Sequence, residues 1–240
     1  MNKYSCNEIY EANAYDAIKE LPDKSIDLII TDIPYDVSVN HGAGAFGVKK
    51  KLHYEQFVSI SNGIDLSILD EFVRVMKKIN IYIWCSLKQI LPISNYFVGK
   101  YNCYWNIITW HKTNPCPTCN NKYMPDTEIC LFFREKGVPL YGDWKSKTTH
   151  YETPLNVSDK KKYGHPTIKP IAIINNFIIN SSKEGDVVFD PFVGSGTTCV
   201  GAKINKRQYI GFDIESKYVG IAKDRLNNID KDGQMSMFIN

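Results

Sequence analysis

No stretch of these 240 residues is apolar for the length that a bilayer core demands, and no basic segment followed by an apolar one precedes the rest. A membrane-embedded or exported protein is a poor fit. Seven cysteines, an odd count without such a leader, point instead to a reduced cytoplasmic setting. The close pair Cys116-Pro117-Thr118-Cys119 lacks the second close pair that a structural zinc site takes, because Cys103, His111 and Cys130 are scattered. It reads as a polar, proline-rich loop, and no metal is expected. Internal repeats and low-complexity tracts are missing as well, so neither a solenoid nor a biased linker accounts for the length. Strong charge of one sign is also absent. Lysine and arginine number 29 against 26 acids, a net +3, which permits a nucleic-acid partner without requiring one.

What remains is an ordinary globular composition, 43% hydrophobic and 23% charged, in a length that suits one α/β domain with room for a small insertion. Residues 26–31, 79–84, 105–110, 129–133, 187–189 and 209–212 read as strands, with 7–13 as a further short candidate. Residues 14–21, 66–78, 87–98, 171–179, 197–204 and a last segment marked by Tyr218, Ile221, Ala222 and Leu226 read as helices. This alternation predicts an α/β fold, a doubly wound, mostly parallel sheet with helices on both faces. Residues 40–51, with Gly42, Gly44 and Gly47, read as a loop. Residues 137–164 are polar and aperiodic and read as a surface insertion, and 228–240 as a tail.

Near the carboxyl end, Asp190-Pro191-Phe192-Val193-Gly194-Ser195-Gly196-Thr197-Thr198 turns from a strand into a helix. Glycine there admits positive φ and close approach of a ligand. A dinucleotide loop wants a small residue where Cys199 stands, which weakens that reading. Asp213 follows Gly194 by 19 residues (213 − 194) just past the next strand, where both oxygens of an acid can accept from a ribose diol. A surface acid or helix cap is its plainer alternative. His165-Pro166-Thr167-Ile168-Lys169-Pro170 is, by pattern, a loop entering a helix between two prolines, with Lys169 a point charge for a carboxylate.

Near the amino end, Asp32-Ile33-Pro34-Tyr35 closes the apolar run 26–30. Methylating an exocyclic amine is hard because its lone pair is delocalised into the ring. A carboxylate and a main-chain carbonyl that accept its two N–H bonds return electron density to nitrogen, and an aromatic face can hold the base in line with a methyl donor. Asp32, the Ile33 carbonyl and the Tyr35 ring are candidates for these three parts, with Pro34 stiffening the turn; taken alone, the peptide reads as a strand that ends at a proline turn.

In this order the motifs resemble those of the β-class, S-adenosylmethionine-dependent DNA amino-methyltransferases, in which the catalytic half precedes the cofactor half. That family uses D-P-P-Y for adenine N6 and S-P-P-Y for cytosine N4, so Asp32 points to adenine. Ile33 departs from the first proline, which touches the rigidity of the turn more than its role. The family segment H-P-T-x-K-P matches residues 165–170, and the resemblance places His165, Thr167 and Lys169 at the methionine end of the cofactor. It implies further cofactor contacts from Asp190, Phe192, Gly194, Ser195, Gly196, Thr197 and Asp213. Glu11 to Ala17 resembles the family's strand and acid near the adenine ring of the cofactor. Asp16 would meet the amino group and the Ala17 N–H a ring nitrogen; a plain acid at a helix N-terminus is the equal alternative. The implied fold is the Rossmann-like methyltransferase fold, a seven-stranded type of sheet with permuted motif order. The implied partner is double-stranded DNA with the target base flipped out, without a metal, and a homodimer is one assembly the resemblance admits.

The segment 137–164 lies where the family places target recognition. Lys145, Lys147, Lys160, Lys161 and Lys162 there, and Lys49, Lys50 and Lys51 after the clamp, are candidates for phosphate contact, against the plainer reading of solvated loops. Gln234-Met235-Ser236-Met237-Phe238 resembles the peptide that docks in the bacterial sliding clamp, against the plainer reading of a disordered or packed tail. The expected function is site-specific methyl transfer to adenine N6. Its alternatives are cytosine-N4 methylation, a non-catalytic DNA-binding subunit of the same fold, and a nucleotide-dependent oxidoreductase. Asp32, the intact motifs, and Cys199 with the D-x-P-Y peptide speak against these in turn.

Overall fold

The computed structural model describes residues 3–36, 63–115, 121, 123–155, 163 and 168–229. Among them, β1 (Glu8–Glu11), β2 (Leu28–Asp32), β3 (Asn80–Cys85), β4 (Tyr104–Lys112), β5 (Thr127–Arg134), β6 (His150–Thr153), β7 (Val187–Asp190) and β8 (Gln208–Asp213) form one sheet. Its spatial order is β1-β8-β7-β2-β3-β5-β4-β6. The first five strands in that order are mutually parallel, β5 runs antiparallel to both β3 and β4, and β6 is parallel to β4. The helices are α1 (Ala14–Ala17), α2 (Ile68–Val75), α3 (Leu87–Ser94), α4 (Ile171–Ser181), α5 (Thr197–Ile204) and α6 (Ser216–Asn227). None is long and apolar enough to cross a membrane.

The central strands are continuously apolar because both faces of the sheet are covered. All six residues of β3 are buried. Alternate residues serve opposite cores, as the period of two requires. Leu28 and Ile30 pack with Trp84 and Phe177 beneath α4, whereas Ile29 packs with Ile81 and Ile83 against α2. Tyr82 is sandwiched between Phe132 and Phe177, with ring centroids 4.1 and 4.2 Å away. On α2 the buried residues Ile68, Leu69, Phe72 and Val75 fall on one stripe.

The connections position the site. The chain passes from β2 to β3 on one side and from β7 to β8 on the other, so its direction across the sheet reverses between β2 and β7. Open α/β sheets bind ligands at that reversal, beyond the carboxyl ends of the strands. Ile29 pairs with Phe189 in parallel register, which puts Asp190 level with Ile30, two residues before Asp32 on the neighbouring strand. Asp190 pairs in turn with Gly211, two residues before Asp213.

The sheet has eight strands where a seven-stranded type is expected. The extra edge strand, β6, lies inside the segment read as an aperiodic insertion and pairs Thr109 to Lys112 with His150 to Thr153. Four mixed polar residues at an edge give no apolar signal. The segment is also tied down. The Tyr141 N–H donates to the Asn180 carbonyl at 2.8 Å, and the amides of Asn176 and Asn180 both donate to the Ser146 carbonyl. Gly142 permits this docking, since a Cβ there would fall 1.7 Å from Asn180 Oδ1.

Candidate active site

β2 ends on Asp32, and the next three residues turn out of the sheet. The Ile33 side chain, 1% exposed, anchors the turn in the core beneath α2. Pro34 offers its carbonyl to Gln89 Nε2 at 2.9 Å. Gln89 Oε1 accepts from both the N–H and the hydroxyl of Ser86 at the start of α3, each at 2.9 Å. A neighbouring helix thus supplies the stiffness that the missing proline withholds. The sequence reading missed Gln89, although Ser86-x-x-Gln89 has capping-box spacing.

Asp32 meets a buried cation. Lys169, 7% exposed at its side chain, donates to Asp32 Oδ2 at 2.6 Å, to the Tyr35 hydroxyl at 3.2 Å and to Glu128 Oε2 at 2.9 Å. Glu128 Oε1 pairs with Lys112 at 2.8 Å, and the Tyr35 hydroxyl lies 3.4 Å from Glu128 Oε2. Asp32 Oδ1 is shielded from solvent and has no hydrogen-bond partner among the described residues. Burial pushes the Asp32 carboxyl above the ordinary range, and the ammonium beside it offsets that only in part. Burial acts in the same sense on Glu128, but Lys169 and Lys112 outweigh it and bring that carboxyl down to about 2. Burial opposes the charge on Lys169, yet the two carboxylates prevail and hold it firmly protonated. Burial and the nearby anions keep the Tyr35 phenol neutral. Lys169 thus stands at the Asp32 end of the sheet, with its ammonium engaged by protein groups. An ammonium has three donors, and here they meet Asp32, Glu128 and the Tyr35 hydroxyl.

The glycine loop is built by three supports. Gly194 donates its N–H to Asp213 Oδ2 at 2.8 Å, and Glu215 N–H donates to Oδ1 at 2.9 Å. Asp190 Oδ1 accepts from Phe192 N–H at 3.1 Å, and burial lifts the Asp190 carboxyl to about 7. Arg225 reaches in from α6, only 2% exposed. Its Nη1 donates to the Ser195 carbonyl at 2.6 Å, the Ser195 hydroxyl at 3.1 Å and the Thr197 hydroxyl at 3.0 Å. The hydroxyls of Ser195 and Thr197 are thus turned to Arg225 and shape the loop from within. The guanidinium also stacks over Tyr163 at 5.0 Å. A charge on a helix ordinarily reads as solvated, so sequence pattern gave no hint of Arg225.

The Tyr15 ring of α1 stands 6.3 Å from that of Phe192, which brings α1 beside the loop. The Asp16 side chain is 80% exposed and lies 3.8 Å from Lys19. Ala17 donates its N–H to the Asn13 carbonyl at 2.9 Å, so that donor is already used within α1 and is not offered to a ring nitrogen. Lys145 and Lys147 flank Ser146, which is docked on Asn176 and Asn180 of α4. Those positions lie roughly 7–14 Å along α4 from the end that adjoins Lys169. The structure therefore does not bring Lys145 and Lys147 to the Asp32 end of the sheet. Lys49, Lys50, Lys51, Cys116, Cys119, Lys160, Lys161, Lys162, His165, Thr167 and Gln234 to Phe238 lie outside the described residues.

The strands that end on Asp32, Asp190 and Asp213 are thus parallel neighbours in the order β2, β7, β8, and comparison with known proteins agrees with that architecture. The chain is 31% identical over 244 residues to the Type II methyltransferase M.HpaI of Haemophilus parainfluenzae, covering 90% of this chain and 73% of that one. It is also 31% identical over 238 residues to the Type II methyltransferase M2.LlaDCHI of Lactococcus lactis subsp. cremoris, covering 91% and 88%. The crystal structure of M1.HpyAVI in complex with SAM superposes with a TM-score of 0.69 at 27% identity, over 92% of this chain and 98% of that one. The cytosine-N4-specific PvuII DNA methyltransferase shares the fold, with a TM-score of 0.69 at 17% identity over 95% and 89%. A profile of the N6/N4 DNA methylases matches residues 26–224. That span takes in both motif-bearing strands and most of the sheet, and the chain belongs to the N6/N4 DNA methylase family.

Proposed function

We propose that this protein transfers the methyl group of S-adenosylmethionine to the N6 amine of an adenine flipped out of double-stranded DNA at a specific sequence. The observation that carries the reading is the Asp32 carboxylate at the sheet's reversal point, ionised beside an ammonium that occupies one of its oxygens. A carboxylate has about four acceptor sites, so capacity for an amine N–H remains. Asp32 accepts one N–H, the Ile33 carbonyl accepts the other, and the Tyr35 ring stacks on the base. The proton released from nitrogen moves to Asp32, whose burial makes it a stronger acceptor than an ordinary carboxylate. An aspartate rather than a serine at this position supports adenine over cytosine.

The loop residues fit the cofactor. Asp213 accepts one backbone N–H on each oxygen, which leaves each a lone pair for a ribose hydroxyl. Gly194, Gly196 and Phe192 line the adjoining turn, and exposed Asp16 stands beside it. S-adenosylmethionine, when bound, supplies an electrophilic methyl on a sulfonium. The protein's part is to hold the amine in line with it and to keep water out.

The test is transfer from labelled S-adenosylmethionine to unmethylated DNA, followed by digestion and identification of the nucleoside. N6-methyladenine is expected. N4-methylcytosine would overturn the choice of base, and no transfer by protein that binds the cofactor would overturn the activity. Asp32→Ala should lose about 100- to 10,000-fold in rate while calorimetry finds cofactor binding retained.

A further inference from the structure

Four side chains from three strands and the segment before α4 alternate in sign. Lys112 of β4 pairs with Glu128 of β5 at 2.8 Å, Glu128 with Lys169 at 2.9 Å, and Lys169 with Asp32 of β2 at 2.6 Å. Glu128 is held at both oxygens. Its partner Lys112 is fixed in turn over the Trp110 ring at 5.5 Å. Glu128 therefore cannot swing away from Lys169.

We propose that Glu128 is a positioning residue for amine methylation: by claiming one donor of the Lys169 ammonium, it keeps that ammonium from closing over the Asp32 carboxylate. The inference rests on the function proposed above. An ammonium shared by two carboxylates touches one oxygen of each. With Glu128 neutral, Asp32 is the one anion left within contact of Lys169 among the described residues, and the cation moves onto the acceptor sites that the base amine requires. The arrangement also sets where Asp32 ionises. Among the described residues, the titratable groups that face it are Lys169 from the segment before α4, Glu128 and Cys130 from β5, Cys85 from β3, Tyr35 from its own turn and Asp190 from β7. Burial keeps the two thiols and the phenol neutral. Removing the Glu128 anion leaves Lys169 unopposed and makes Asp32 easier to ionise. Removing the Lys112 cation does the reverse.

The experiment is single-turnover methyl transfer from about pH 5 to pH 9 with wild type, Glu128→Gln and Lys112→Met, beside calorimetric cofactor affinity. Glu128→Gln should slow transfer by about 10- to 100-fold with cofactor affinity retained, and its acidic limb should move to lower pH. The acidic limb of Lys112→Met should move to higher pH. A merely structural role would not move the two limbs in opposite directions. Wild-type rate and an unmoved limb in Glu128→Gln, or limbs displaced the same way, would overturn the inference while leaving the function intact. A wild type that transfers no methyl group overturns the function and the inference together. If Glu128→Gln does not fold, Lys112→Met decides alone: a raised limb supports the chain of charges, and an unmoved or lowered one refutes it.

Discussion

Gly196→Ala tests whether the glycine loop, the proposed cofactor site, is set by its contact with α6. Gly196 sits at φ +83°, where it opens α5. A Cβ there would lie 2.7 Å from Ala222 Cβ and 3.0 Å from Ala222 Cα. Carbon atoms settle at about 3.5–4.0 Å, so the loop or α6 must give way by about 1 Å. α6 cannot retreat freely, because Ala222 is fully buried and Arg225, one turn on, is bonded to the loop. The left-handed backbone costs a side chain about 1–2 kcal/mol, and the overlap about 1–3 kcal/mol. The expected destabilisation is roughly 2–5 kcal/mol, measured by urea unfolding. The displaced loop should also weaken S-adenosylmethionine binding by about 10- to 100-fold, as a shift of that size does to a positioned ligand. Adding Ala222→Gly removes the 2.7 Å contact but not the backbone strain, so the double variant should recover part of both losses. Stability within about 0.5 kcal/mol of wild type, together with unchanged calorimetric affinity, would refute the reasoning.

Two further outcomes follow from the same loop. Arg225→Met removes a charged donor that serves three oxygens and should cost about 2–4 kcal/mol and weaken cofactor binding; denaturant midpoints equal to wild type would contradict this. Asp190 titrates near 7 in the folded protein against about 3.9 unfolded, so the native state binds the extra proton between those values. Stability from this group is therefore lost as pH rises through that window. Asp190→Asn cannot ionise and keeps an oxygen for Phe192 N–H. The difference in Tm, variant minus wild type, should be more positive at about pH 8 than at about pH 5, and a difference independent of pH would dispose of the idea.

The scaffold of this site was legible because its signals are local. The apolar runs of β2 and β3 mark strands covered on both faces, and the stripe on α2 marks an amphipathic helix. The turn at Asp32 and the loop at Gly194 each fit within nine residues. β6 was not legible, since four polar residues become a strand only when the free edge of β4 accepts them. The far placement of Lys145 and Lys147 was equally hidden, because the amides of Asn176 and Asn180 fix it from another element.

The charges around Asp32 belong to the second kind. Lys169 is 137 residues from Asp32, and Glu128 is 93 residues from Tyr35. Glu128 sits in an ordinary strand, opposite Trp110 in register, and nothing beside it in sequence marks it as special. Sheet order alone carries it to Lys169, since β5 adjoins β3 and β3 adjoins β2. A four-residue motif can therefore point to the class of reaction and to the carboxylate proposed as amine acceptor. It does not fix the protonation range in which that acceptor works, because the cation beside it and the anion that shares the cation arrive through tertiary pairing. A relative with the same motif but no acid on β5 would use the same carboxylate over a different span of pH.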